Sequence, residues 1–238
     1  MKIKILHIFD DLMNLYGEYA NVEVLGKYLR DLGYEVQTDT LHLYEEKDIS
    51  GYDFYYMCAG TERKQKLALS RLAGYREVLQ KVCSEHKVML FTGNSFELLG
   101  DRIVDADGRE YEGLHIGSFV STQGKKRITG DALAEYNGNL LVGFINKCSR
   151  TTGIENPLFR LTMGFGNDQD RGDEGFRKNS CLGTQMTGPL LVKNPAMLKA
   201  VAEMLVGEIA EDVPYEYMKR SYETTVGALK KRLEETKS

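Results

Sequence analysis

The stretch Val88-Met89-Leu90-Phe91-Thr92-Gly93-Asn94-Ser95-Phe96-Glu97-Leu98-Leu99-Gly100 is the most informative in the chain. Lys87 to Thr92 is short, apolar and ended by glycine, the pattern of a strand buried on both faces. Asn94 to Leu99 resumes as a helix, so Gly93 stands at a tight turn from strand into helix. A turn of this kind lifts one side chain above the sheet. The helix N-terminus behind it can stabilise a thiolate or an anion.

Working outward, the pattern repeats. Lys2 to Phe9 packs Ile3, Ile5, Leu6, Ile8 and Phe9 into a buried strand bounded by Asp10-Asp11. Val22, Leu25, Leu29 and Leu32 mark one face of a helix, and Gly33 is placed to end it. Tyr34 to Leu41 and Asp53 to Cys58 read as two further strands. Thr61 to His86 is predicted as one long helix with Leu72, Tyr75, Leu79 and Val82 along its stripe. The first hundred residues thus read strand, helix, strand, strand, helix, strand, helix. Parallel strands need such crossovers, so the expected class is α/β, three-layered, with a mainly parallel sheet flanked by helices.

The second half changes character. Asp107-Gly108 is a turn between Arg102–Val104 and Arg109–Tyr111. Leu140 to Ile145 is a strand, and the glycine-rich Met163–Gly175 stretch is a loop. Asn194-Pro195 predicts an N-cap with proline at the first helical position. Beyond Pro214, Met218, Tyr222, Val226, Leu229 and Leu233 recur at helical spacing. This divides the chain into a domain over residues 1–210 and an amphipathic helix over 211–238 packed on it.

Composition narrows the function. The 238 residues carry a formal net charge of −4, without the basic excess expected of a nucleic-acid binder. No apolar run reaches the length of a membrane helix, and the N-terminus lacks a signal-peptide layout, so cytoplasmic placement is expected. Cys58, Cys83, Cys148 and Cys181 are irregularly spaced, and His7, His42, His86 and His115 are scattered. Neither set has metal-ligand spacing, and no phosphate-binding glycine motif is complete. No metal or cofactor is expected.

Ligands of a parallel sheet sit beyond the carboxyl ends of its strands. Four stretches should meet there: Asp10–Gly17, Cys58–Gln65, Thr92–Glu97 and Gly183–Pro189. Asp10 and Asp11 are expected to cap the following helix or cover the sheet end.

Several of these stretches carry a resemblance. Asp11-Leu12-Met13-Asn14-Leu15-Tyr16-Gly17, Cys58-Ala59-Gly60-Thr61-Glu62-Arg63-Lys64-Gln65, Gly143-Phe144-Ile145-Asn146-Lys147-Cys148-Ser149-Arg150-Thr151 and Gly183-Thr184-Gln185-Met186-Thr187-Gly188-Pro189, followed by Lys193-Asn194-Pro195, together resemble the class I glutamine amidotransferase-like domains of the cobyric acid synthase group. Within that group the similarity is greatest to glutaminase subunits of lipid II isoglutaminyl synthase. It runs over roughly Ile3 to Leu205. It implies a flavodoxin-like fold, glutamine or a glutamine-like ligand, and a Mur-ligase-like partner that receives ammonia.

The departures are specific. Aligned on Leu98-Leu99-Gly100, the family's nucleophilic cysteine falls on Gly93, and its base histidine falls on Thr187. Glycine has no nucleophile, and threonine cannot take a thiol proton near neutral pH. Cys58 and Ala59 replace two glycines of the family's oxyanion loop. The expectation is an amidotransferase-like subunit without an intact catalytic residue. Arg150, Asn94, Gly60 and Gln185 are the candidates for residual ligand binding, Arg150 because the resemblance places a substrate-recognising arginine there. Two alternatives stand beside this reading. One is an active glutaminase with a thiol relocated to Cys58 or Cys148, and the other is a small-ligand-binding module outside cell-wall chemistry.

Overall fold

A computed structural model describes residues 1–170 and 172–235. The chain opens with β1 (Lys2–Ile8), α1 (Ala20–Asp31), β2 (Glu35–Leu41), β3 (Phe54–Met57), α2 (Glu62–Leu72), α3 (Arg76–Ser84) and β4 (Val88–Thr92). A hairpin of β5 (Arg102–Val104) and β6 (Glu110–Glu112) follows, then a long ribbon of β7 (Val120–Tyr136) and β8 (Asn139–Thr152). Next come β9 (Phe159–Met163), β10 (Asp173–Glu174), β11 (Phe176–Lys178), β12 (Cys181–Thr184) and β13 (Met186–Thr187). The chain ends in α4 (Leu190–Lys193), α5 (Pro195–Val206) and α6 (Glu216–Glu235).

The first sheet has the order β11-β12-β4-β3-β1-β2. All its pairings are parallel except β11 with β12. Both β3 and β4 are buried along their whole length, as strands covered on both faces must be. The core gathers Phe9, Phe54, Tyr55, Tyr56, Phe91 and Phe96, all fully buried. The expected α/β class with a mainly parallel sheet is therefore what the chain adopts, with helices flanking the sheet.

A second, largely antiparallel sheet is built on the β7–β8 ribbon, with β9, β10 and the β5–β6 hairpin beyond β7 and β13 against β8. Only β5 joins β7 in parallel. The ribbon's register breaks between Gln123 and Ile128, so residues 124–127 leave the ladder as a bulge.

Local chemistry explains most boundaries. Gly33 ends α1 with φ +88°, and Gly108 takes φ +80° in the hairpin turn. The single helix expected over Thr61–His86 is instead two, parted by a 3-10 turn at Ala73–Tyr75. Gly74 lies in that turn, and an interior glycine weakens a helix by about 1 kcal/mol. The segment after Gly93 is likewise a 3-10 helix, Gly93–Leu99. Asn194 precedes α5, with Pro195 at its first position. Its side chain does not cap that helix: it brackets Val142 of β8, accepting from the Val142 N–H at 2.7 Å and donating to the Val142 carbonyl at 2.8 Å.

Leu229 of α6 packs with Leu133 and Val142 of the ribbon, and Tyr222 donates to the Leu140 carbonyl at 2.7 Å. The terminal residues 236–238 of the expected C-terminal segment lie outside the described residues. No described helix is long and apolar enough to cross a membrane.

Candidate functional site

The four expected stretches do meet beyond the carboxyl ends of β1, β3 and β4. A small cavity of about 100 Å³ is walled there by Leu15 and Tyr16, by Ala59 to Glu62, by Gly93 and Asn94, and by Thr187. The second sheet adds Arg127 from the β7 bulge and Asn146 from β8.

Gly93 turns the chain with φ +61°, a conformation that only glycine takes without strain. A Cβ placed on it would come within 2.5 Å of the Ala59 methyl and 3.1 Å of Thr187 Cγ2. The first distance is below any van der Waals contact. Any side chain at position 93 therefore collides with Ala59 as well as adopting a strained backbone. Thr187 turns its methyl toward Gly93, because its hydroxyl donates to the Phe144 carbonyl at 2.9 Å. Among the described residues, neither an imidazole nor a thiol faces the turn.

The loop after β3 is held tightly. The Gly60 N–H donates to Asn94 Oδ1 at 2.9 Å, and Asn94 Nδ2 donates back to the Gly60 carbonyl at 2.8 Å. The Leu15 N–H donates to the Ala59 carbonyl at 3.0 Å. A Cβ on Gly60 would lie 2.2 Å from Met13 Sδ, so the buried Met13 side chain fills the space that a larger residue there would need. The Gly60 amide, one donor an oxyanion could otherwise use, is thus occupied by the Asn94 side chain.

The expected binding residues separate into two groups. Gly60 and Asn94 line the cavity. Gln185 is 1% exposed and donates to Glu97 at 2.9 Å, away from the cavity wall. Arg150 forms an exposed bidentate pair with Asp168, its Nη2 at 2.8 Å, and does not reach the cavity. The arginine that does is Arg127. Its guanidinium pairs with Glu62 and donates to Asn146 Oδ1 at 3.0 Å, while Asn146 donates to the Tyr16 hydroxyl at 3.0 Å. The only sequence mark of Arg127 is the basic run Lys125-Lys126-Arg127 inside a strand.

A buried carboxyl lies behind position 187. Glu18 accepts from the Gly188 N–H at 2.8 Å and from the Thr92 hydroxyl, and sits 3.4 Å from the Tyr56 hydroxyl. Burial pushes it up to about 7. Of the hydroxyls flanking the turn, Thr92 is committed to Glu18, and Ser95 donates to the carbonyls of Met57 and Thr92.

The cysteines are not activated. Cys58 has a histidine beside it, His7 Nε2 at 3.2 Å, a pairing that no sequence spacing reveals. Both residues are buried. Burial drives the His7 imidazole down to about 4 and the Cys58 thiol well above its usual value. The pair is a neutral thiol beside a neutral ring, closed off from the cavity. Cys148 lies 3.5 Å from the Glu62 carboxylate; burial and neighbouring carboxylates push it up to about 11. A thiolate is the nucleophile, and neither site favours one.

Of the two roles expected of the aspartates, Asp11 takes the one at the sheet end rather than that of a helix cap. Asp11 accepts from the Leu43 N–H at 3.2 Å and so pins the end of β2. Asp10, Asp11 and His42 bring ligand atoms within 4.8 Å of one another in a largely exposed group.

Comparison with known proteins agrees with this architecture. The chain is 28% identical over 194 residues to the lipid II isoglutaminyl synthase (glutamine-hydrolyzing) subunit GatD of Staphylococcus aureus, covering 81% of this chain and 80% of that one. It is 28% identical over 198 residues to the GatD subunit of Streptococcus pneumoniae, covering 81% and 76%. A crystal structure of a glutamine amidotransferase superposes with a TM-score of 0.59 at 14% identity, over 84% of this chain and 98% of the other, which shows a shared fold. Residues 4–195 match the CobB/CobQ-like glutamine amidotransferase domain, and the chain belongs to that family.

Proposed function

We propose that this chain is a catalytically degenerate glutamine amidotransferase-like subunit. It would serve a Mur-ligase-like partner in the amidation of a peptidoglycan precursor in the cytoplasm. The supporting relatives are glutaminase subunits of lipid II isoglutaminyl synthase. The observation that carries the degenerate reading is the filled turn. Ala59 occupies the space a side chain at position 93 needs, and the residue opposite presents a methyl group. Cooperating groups act as a unit, so losing both thiol and imidazole removes most of the rate. The role left to the chain is to hold the partner's geometry or to sense a glutamine-like ligand. Gly60, Asn94 and Arg127 line the remaining cavity for such a ligand.

The reading is tested by ammonia release from glutamine, with the chain alone and with a copurified Mur-ligase-like partner. No release above the uncatalysed background is expected. Release that disappears in Cys58→Ala or Cys148→Ser would establish the relocated-thiol glutaminase instead.

A further inference from the structure

A larger cavity, about 470 Å³, lies beside the degenerate site between the start of α2, the β5–β6 hairpin and the β7 bulge. Its size is that of a small-molecule pocket. Its polar lining is unevenly satisfied. Glu62 and Arg127 neutralise each other at the wall shared with the smaller cavity. Asp105 accepts from the N–H groups of Asp107 and Arg109 at 2.9 Å and from the Tyr111 hydroxyl at 3.0 Å.

Three cations remain without a carboxylate partner among the described residues. Lys66 donates to the amide oxygens of Gln65 and Gln123 and lies 5.7 Å from the Tyr111 ring centroid. Burial lowers its affinity for its proton. The side chains of Arg63 and Lys125 line the same cavity and make no hydrogen bond or ion pair there with any described residue. Against these three stand two carboxylates without a cation partner among the described residues, Asp105 and Asp107, so the lining, with four cations and three carboxylates, keeps a net charge of +1. A half-buried ammonium held only by neutral oxygens, with two free cations at its mouth, stabilises an added negative charge.

We propose that this cavity is a binding site for a small anion bearing two or more negative charges, of the phosphoanhydride or polycarboxylate class. Lys66 lies at the floor of the site, and Arg63 and Lys125 grip from the rim. Arg127 and Glu62 form the wall shared with the smaller cavity, so an occupied anion site would reach the glutamine-family pocket through that pair. The proposal does not depend on whether the chain hydrolyses glutamine.

Calorimetry on the full chain tests it, with inorganic pyrophosphate in one arm, citrate in the second and glutamine, which has no net charge, in a third. Saturable one-to-one binding is expected for at least one of the two anions, and which one binds identifies the chemical source. Arg63→Gln/Lys125→Gln should weaken that binding tenfold or more, while the remote pair Lys230→Gln/Lys231→Gln should leave it unchanged. The bound anion should also slow alkylation of Cys148, which lines the cavity. Absence of saturable binding by either anion would overturn the proposal. So would an affinity untouched by the first double variant, or weakened equally by both.

Discussion

At position 93 the obstacle to chemistry is steric before it is chemical. The residue that would carry sulfur in relatives must adopt φ +61° and push against the Ala59 methyl. Gly93→Cys alone should therefore lower stability by about 2–3 kcal/mol, from backbone strain together with overpacking. Adding Ala59→Gly should recover part of that loss, as chemical denaturation of the single and double variants will show. Restoring cysteine and histidine without clearing position 59 leaves the turn obstructed. Glu18 supports a second prediction. The ordinary value of its carboxyl is 4.5, and burial raises it to about 7. The folded state thus holds this proton more tightly than the unfolded chain. The stability it contributes is fully present below pH 4.5 and is lost as pH rises through about 7. The loss amounts to about 3 kcal/mol. Glu18→Gln mimics the protonated group and should flatten this part of the stability–pH curve. The difference between the two proteins isolates Glu18 from His7. Burial lowers the His7 value from 6.5 to about 4, so its contribution is instead lost as the solution becomes more acidic.

Among the elements, those with strong periodicity were legible and those specified by tertiary contact were not. Strand β4 and helix α1 follow from apolar runs and a helical stripe that local physics reads directly. The break at Gly74 was hidden because Leu72, Tyr75, Leu79 and Val82 keep a helical rhythm across it. The β7 strand has no clear sequence signature, since its buried and exposed residues do not alternate cleanly through the bulge at 124–127. With it went Arg127, whose place at the cavity depends on that bulge. Gly93, Asn94, Gly60 and Thr187 were placed by their motifs. Arg150 lies in one of those motifs too, yet the strand carries its side chain outward to Asp168. Glu18 and His7 gave no signal, because their partners, Gly188 and Cys58, are brought near only by the fold. Helix α6 was readable from its stripe, and its attachment is weaker than that of the core helices. Leu229→Ala should cost about 2 kcal/mol, at the low end for a buried leucine because its cluster is small. Urea unfolding measures this.

For the whole molecule, buried carboxylates tie the two sheets: Glu174 of β10 accepts from the Thr184 hydroxyl of β12 at 2.6 Å, and Glu97 gathers the most donors. Glu97, 1% exposed, accepts from Gln65 at 2.9 Å, Gln123 at 2.7 Å, Ser149 at 2.5 Å and Gln185 at 2.9 Å. These donors come from α2, β7, β8 and the turn before β13, so the hub joins the strand-to-helix turn to the second sheet. Lys66, a donor only, holds the Gln65 and Gln123 amide oxygens and so fixes which way both amides point. Glu97→Gln can keep its oxygen toward Gln65 and Gln123 and set its N–H₂ toward the Ser149 hydroxyl, which can turn to accept, and toward Gln185, whose buried Oε1 has no partner among the described residues. It should destabilise by about 1–2 kcal/mol, through loss of the charge-assisted hydrogen bonds, measurable by denaturant unfolding. Such a hub maintains the site's walls whether or not chemistry occurs between them. The most direct test of that separation is covalent trapping. The chain is incubated with an electrophilic chloroketone analogue of glutamine and its intact mass is recorded, beside an active glutaminase as control. The mass should stay unchanged while the control is labelled. A single adduct on Cys58 or Cys148, blocked by free glutamine, would instead establish a reactive thiol and overturn the degenerate reading.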